Sequence, residues 1–156
     1  MFRPLSRMGQ QLSSAECAQV LKQEPRGVLS LLGDDGYPYG LPMNFLYLPE
    51  KGKILFHCGK QGHKLDAIAR HDKASFCVMD KGYRKDGHWS WNVRSVIVFG
   101  RIRVVEDWQM DSMMALCRKY TDDPDYIEKE FRNFSAATLA LELDIEHICG
   151  KLVNES

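Results

Sequence analysis

Thr138-Leu-Ala-Leu-Glu-Leu-Asp-Ile-Glu146 alternates without a break, with Leu139, Leu141, Leu143 and Ile145 on one side and Thr138, Ala140, Glu142, Asp144 and Glu146 on the other. A period of two is what a strand with one buried face requires. Working outward, Asn92–Val105 is long and β-branched, and Gly100 within it marks a bulge or a close backbone approach. Ala74–Asp80 also alternates, with Phe76 and Val78. Nearer the N-terminus, Gly27–Leu32, Pro38–Leu48 and Ile54–Cys58 are strand-like runs. They are separated by the turn signals Gly33-Asp34-Asp35-Gly36 and Pro49-Glu50-Lys51-Gly52-Lys53, so these three strands read as a meander.

Helical signals are fewer. Ser13-Ser14-Ala15-Glu16 is a capping box that opens a short helix carrying Cys17, Val20 and Leu21 inward, ended by Pro25 and Gly27. Gly62–His71 places Leu65, Ile68 and Ala69 at helical spacing. Asp107 caps a further helix bearing Trp108, Met113, Leu116, Cys117 and Tyr120, and Asp123-Pro124 starts another that runs to about Phe131. Six strands with helices inserted late in the chain predict a mainly β (β+α) single domain over residues 1–156. The expected architecture is a closed or nearly closed antiparallel barrel with short flanking helices.

Composition narrows the function classes. The chain has 156 residues, 44% hydrophobic and 27% charged, with Lys+Arg and Asp+Glu both at 21. No basic field recruits nucleic acid. No apolar run reaches the roughly 20 residues of a membrane span. Met1–Gln10 carries Arg3 and Arg7 but no apolar signal core, so a cytoplasmic protein is expected. The five cysteines are scattered without a C-x-x-C pair, which favours reduced, buried thiols over disulfides or a zinc knuckle. His57, His63, His71, His88 and His147 form no ligand-spaced pair, so no metal site is expected. Neither G-x-S-x-G nor G-x-G-x-x-G occurs.

Three segments could carry chemistry. Phe56-His57-Cys58-Gly59-Lys60-Gln61-Gly62-His63-Lys64 runs from strand through glycines into a helix. Free N–H groups there, with Lys60, His63 and Lys64, suit a phosphate, and a solvated connection fits the same pattern. Tyr37-Pro38-Tyr39-Gly40-Leu41-Pro42-Met43-Asn44-Phe45 holds two prolines in a strand pattern. This is an edge strand, whose backbone polar groups either face a planar heteroaromatic ligand or simply border the barrel. In Val93-Arg94-Ser95-Val96-Ile97-Val98-Phe99-Gly100, adjacent Arg94 and Ser95 point to opposite faces, one toward a ligand phosphate and the other toward solvent or a partner.

In this order and spacing the segments resemble the pyridoxamine 5'-phosphate oxidase-like, FMN-binding split-barrel superfamily, and within it the nitroimidazole-resistance branch. The resemblance runs from about Leu12 to Leu152 and includes the closing Ile145-Glu-His-Ile-Cys-Gly-Lys151. It implies a six-stranded split barrel that forms a homodimer with two FMN molecules in clefts between subunits. Pro42, Met43, Asn44 and Phe45 would lie along the isoalloxazine ring through backbone groups. Gly62, His63 and Lys64 would hold the phosphate at the helix start. Arg94 and Ser95 match the strand pair near phosphate and ring, and Lys151 would approach from the partner subunit. His57 matches a strand histidine beside flavin and substrate, where it would orient substrate or donate a proton. The implied activity is FMN-dependent reduction of a small aromatic or nitro compound, with Trp89 and Trp91 stacking on a flat substrate or packing a dimer interface. The alternatives are a non-catalytic flavin- or haem-binding protein, or a pyridoxamine 5'-phosphate oxidase. The tail Gly150–Ser156 lacks the C-terminal Trp/Arg element of the oxidases, which speaks against vitamin B6 chemistry.

Overall fold

A computed structural model describes residues 1–107 and 110–155. One antiparallel sheet carries the fold: β1 (Arg26–Leu32), β2 (Pro38–Asn44), β3 (Leu46–Leu48), β4 (Lys53–Gly59), β5 (Lys73–Met79), β6 (Trp91–Val105) and β7 (Thr138–Glu155). The strand order is β2-β1-β5-β6-β7-β4-β3. β2 and β3 therefore end the sheet on opposite sides, yet only Phe45 separates them in sequence. The two edges must meet at that residue, which curls the sheet into a split barrel.

The six expected strands are all present; Pro38–Leu48 is broken at Phe45 into β2 and β3, and that break makes seven. The expected meander of the first three strands forms: the second strand pairs through β2 with β1 and through β3 with β4, and β4 pairs on its other side with β7. The chain leaves the first hairpin at Phe45 and joins the far side of the sheet. Gly100 is a close backbone approach beside a bulge: the β6–β7 register shifts between Phe99 and Gly100, leaving Glu146 of β7 as the extra residue, and a Cβ on Gly100 would lie 2.0 Å from the Asp144 carbonyl oxygen.

Four helices complete the fold: α1 (Ser14–Gln23), α2 (His63–Arg70), α3 (Met110–Arg118) and α4 (Pro124–Ala137). The capping box forms in full: the Ser13 hydroxyl accepts from the Glu16 N–H, and the Glu16 carboxylate accepts from the Ser13 N–H at 2.8 Å. In α2 the buried residues are Ala67 and Ile68, with Lys64 half-buried on the same stripe and Ala69 exposed rather than inward. Leu65 packs against the core and Ile68 is buried, as expected, while Ala67 rather than Ala69 completes the inward face. Trp108, expected on α3, lies outside the described residues. Tyr120, also expected there, falls just beyond the end of the helix. α4 outruns the expected end at Phe131 and leads straight into β7.

Inside the barrel, Phe76 takes Phe45 and Phe56 edge-on, at 4.8 and 5.0 Å between centroids. Leu29, Ile54, Val96, Val98, Leu141 and Leu143 fill the same core, and α1 and α2 contribute Val20, Leu21, Ala67 and Ile68. A second apolar cluster, Leu55, Val105, Ala140, Met113 and Leu116, lies where α3 covers the outer face of β4, β7 and β6. Ala140 is buried for that reason, although its strand reads as polar on that side. Elsewhere on the outer face the N-terminal residues lie over part of β6 and β7, where the Phe2 ring stacks on His147 at 4.6 Å and sits 5.4 Å from Phe99, and Gln11 bridges to Lys151; the rest is open. Cross-strand registers align Pro42, Val28, Cys77, Ile97 and Cys149 across five strands there. Val28 and Met79 on that face are 44% and 63% exposed. Among the described residues no helix is long and apolar enough to cross a membrane.

Candidate functional site

The site is assembled where the barrel splits. β2 is hydrogen-bonded to β1 on one side only and leaves its other edge free. α2 begins beside it. The contrast with α1 is instructive, because the α2 N-cap is Gly62, at φ 129° and ψ 167°, and offers no side chain to the first N–H groups. Only glycine adopts that conformation readily. The helix start is left without a side-chain cap, and Asp66 is the acidic residue of its first turn.

Lys64, in the first turn, points toward β2, where its Nζ lies 3.6 Å from the Met43 sulfur. A thioether is a weak acceptor. Among the described residues Lys64 has no carboxylate partner, unlike Lys53, which pairs with Glu142 at 2.7 Å. A half-buried ammonium next to an uncapped helix start, without a counter-charge, is a site that an anion completes. His63 turns elsewhere: its ring stacks on Tyr39 at 4.1 Å, and its Nε2 sits 3.5 Å from Asp34. It braces the β1–β2 turn rather than facing the split.

His57 occupies the outer face of β4, opposite Ala140 of β7. Burial lowers its pKa below the ordinary imidazole value, the Lys64 charge lowers it further, and Glu130 on α4 opposes both. The imidazole is therefore neutral at pH 7, able to donate from one nitrogen and accept at the other. Neighbouring Cys58 points into the core, and burial holds its thiol pKa above the usual range against the pull of Lys64. It is a protonated packing residue.

Not every residue expected at the site gathers there. Arg94 lies on the inward side of β6, where its Nε donates to Asp80 at 2.8 Å and its Nη1 to Gln19 at 2.9 Å. Burial raises the Asp80 pKa, but hydrogen bonds from the Arg94 side chain and from the N–H groups of Arg94 and Gly82 outweigh it and leave a net lowering. Arg94 thereby ties β5, β6 and α1 together. Ser95 faces the other way, as adjacency requires, and sits directly across from Lys151, to which Gln11 bridges, on the outer face. With strands about 4.8 Å apart, Ser95 is three strands from β2 and Lys151 four. Trp89 is exposed in the loop before β6, and Trp91 at its start carries Arg84 5.2 Å above its ring.

Phe45 is also placed differently from expectation. Its backbone N–H donates to the Tyr120 hydroxyl at 2.9 Å, and its carbonyl accepts from Lys119 Nζ at 2.9 Å. These groups are occupied, so only Pro42, Met43 and Asn44 remain to offer backbone to a ligand, and Pro42 has no N–H. The Lys119 ammonium also lies 3.6 Å above the Phe45 ring, and burial lowers its pKa to about 8, with Glu24 opposing. Burial raises the Tyr120 pKa, against the Phe45 hydrogen bond and Arg26, so the hydroxyl stays a phenol. Lys119 and Tyr120 are absent from any local motif. They meet Phe45 across some 75 residues, a separation that periodicity does not register.

Comparison with known proteins follows the same lines. A protein-family model described as pyridoxamine 5'-phosphate oxidase matches residues 13–152. No curated protein matches the chain at a significant level. Among solved structures, a candidate 5-nitroimidazole antibiotic resistance protein from Bacteroides thetaiotaomicron aligns with TM-score 0.73 at 18% identity, over 92% of this chain and 87% of that one. An FAD-binding protein from Mesorhizobium loti gives 0.65 at 22% identity, over 92% and 97%. An FAD- and heme-binding protein from Mycobacterium smegmatis gives 0.69 at 22%, over 94% and 74%. At these identities the likeness is one of fold.

Proposed function

Because this chain belongs to the pyridoxamine 5'-phosphate oxidase family of flavin-binding split barrels, we propose that it is an FMN-dependent reductase of small aromatic or nitro compounds, working as a homodimer. The observation that carries the flavin half is the uncapped α2 start, with Gly62 as N-cap and Lys64 lacking a carboxylate partner, beside the free edge of β2. One ammonium and one helix start match a single phosphate, which favours FMN over a dinucleotide. The residues present fit the cofactor: Gly62 and Lys64 for the phosphate, and Pro42, Met43 and Asn44 along the ring system. His63 supports them through Tyr39 and Asp34.

Bound flavin would supply the electron transfer. The chain's own part is orientation, exclusion of water and handling of a proton. His57 carries the last of these, as a neutral imidazole able to hold or pass a proton near the substrate. The part of the outer face left open by the N-terminal residues supports a second copy of the chain. The apolar row Pro42, Val28, Cys77, Ile97 and Cys149 crosses five strands there, and Ser95 and Lys151 lie side by side on the same face. Covering that face removes Val28, Met79 and Ile97 from water and brings the partner's Ser95 and Lys151 toward the flavin.

The test starts from the absorption spectrum of the purified protein, with its cofactor released and identified, followed by turnover of a nitroimidazole with a reduced nicotinamide. The expected result is stoichiometric FMN that is reoxidised by the acceptor. A flavin-free protein that takes up no FMN refutes the proposal. A yellow protein inert to every acceptor leaves a flavin carrier in place of a reductase. Sedimentation velocity tests the dimer.

A further inference from the structure

The one-residue crossing at Phe45 raises an accounting problem. A residue between two edge strands has no ladder to pair with, and its side chain is fully buried. Unsatisfied backbone groups in such a place are costly. The chain solves this with two consecutive side chains just beyond the end of α3. The Tyr120 hydroxyl accepts from the Phe45 N–H at 2.9 Å and donates to the Pro25 carbonyl at 2.5 Å. Lys119 donates to the Phe45 carbonyl at 2.9 Å with its ammonium over the Phe45 ring. The joint between α1 and β1, marked by Pro25, is thereby tied to the crossing between β2 and β3. Everything immediately upstream of Phe45 is the edge that borders the split: Pro42, Met43 and Asn44.

We infer that Lys119 and Tyr120 are positioning residues for the flavin, fixing the backbone of Phe45 and through it the β2 edge along which the ring system lies. This inference rests on the flavin reading above. Neither residue contacts Lys64, whose ammonium rests on the Met43 sulfur, two positions before Phe45. The two sets therefore act on different parts of one ligand. Lys64 acts on the phosphate alone, and the Lys119–Tyr120 pair acts on the ring edge.

That division makes the inference testable with FMN and riboflavin, which differ only in the phosphate. In Tyr120→Phe and Lys119→Met, the dissociation constants for FMN and riboflavin should rise by the same factor, tenfold or more. The visible circular dichroism of the bound flavin should change, because the ring's surroundings have moved. Lys119→Arg, which keeps a cationic donor, should restore much of the affinity and the wild-type spectrum. A role confined to global stability would lower the melting temperature but leave the affinity and spectrum of the folded protein unchanged, and that result overturns the inference. Loss confined to FMN, with riboflavin unaffected, overturns it as well. Should Tyr120→Phe fail to fold, Lys119→Met decides the matter alone. A wild-type protein that binds neither flavin refutes both readings; one that binds flavin while the variants match it refutes only this one.

Discussion

Replacing Lys64 with methionine removes one charge with little change in shape. Lys64 Nζ rests against the Met43 sulfur with no carboxylate partner among the described residues, so the substitution breaks no ion pair in the flavin-free protein. It places a thioether beside a thioether on the half-buried stripe of α2, and stability should hold or rise slightly. Binding should behave otherwise. A charge-assisted hydrogen bond to phosphate contributes about 1.5–3 kcal/mol, which corresponds to a loss of roughly 10- to 150-fold in FMN affinity. Riboflavin carries no phosphate, so its affinity should stay at the wild-type value. The assay is fluorescence quenching of each flavin titrated with flavin-free protein, at two salt concentrations. Wild-type affinity for FMN should fall with salt more steeply than that of the variant. Equal losses for FMN and riboflavin, or an unchanged FMN constant, would refute the placement of the phosphate at the α2 start.

Other consequences of the same geometry can be measured separately. In Lys64→Met the His57 pKa should rise, since the Lys64 charge is one of the two influences that lower it; an NMR pH titration of the imidazole reads this, and no shift would put His57 out of range of Lys64. Asp80 titrates below the ordinary carboxylate value of about 3.9 because Arg94 and two N–H groups hold its anion. Its contribution to stability is therefore present above about pH 4 and lost as the pH falls through the lower folded-state value. Asp80→Asn should flatten that acid limb of the melting temperature, and a wild-type slope in the variant would contradict the pairing. Gly100→Ala puts a carbon 2.0 Å from the Asp144 carbonyl oxygen, a contact only backbone movement can relieve, so urea unfolding should show a loss of more than about 2 kcal/mol.

The strands were readable in the sequence because alternation, turn residues and capping are local, and so were their approximate limits except in β7, which runs past the expected end at Glu146 to Glu155. Thr138–Glu146 showed its buried side through the leucines, and Gly100 showed its close backbone approach as the one residue without a side chain in a β-branched run. Pairings between strands distant in sequence were not readable. β4 pairs on one side with its hairpin neighbour β3 and on the other with β7, some eighty residues later, and no periodicity encodes that choice. The site divided the same way. Gly62 and Lys64 stood out because a glycine, a helix start and a lysine lie within one turn. The use of Arg94 on Asp80 and Gln19, of His63 on Tyr39 and Asp34, and of the Phe45 backbone on Lys119 and Tyr120 depends on contacts made only after the sheet closes.

β7 pairs with β6 along one side and β4 along the other, and this sets the order in which a nascent chain can mature. During synthesis at about 5–20 residues per second, β1, β2, β5 and β6 can assemble as they leave the ribosome, while β3 and β4 have only each other. Until β7 emerges, two long edges stand open, lined with unpaired amides and apolar side chains. Closure must wait for β7, so the interval dangerous for aggregation lasts until that strand has emerged. Holding chaperones would engage this chain before β7 appears, and a ribosome stalled within β7 would release a species more prone to aggregate than one stalled much earlier.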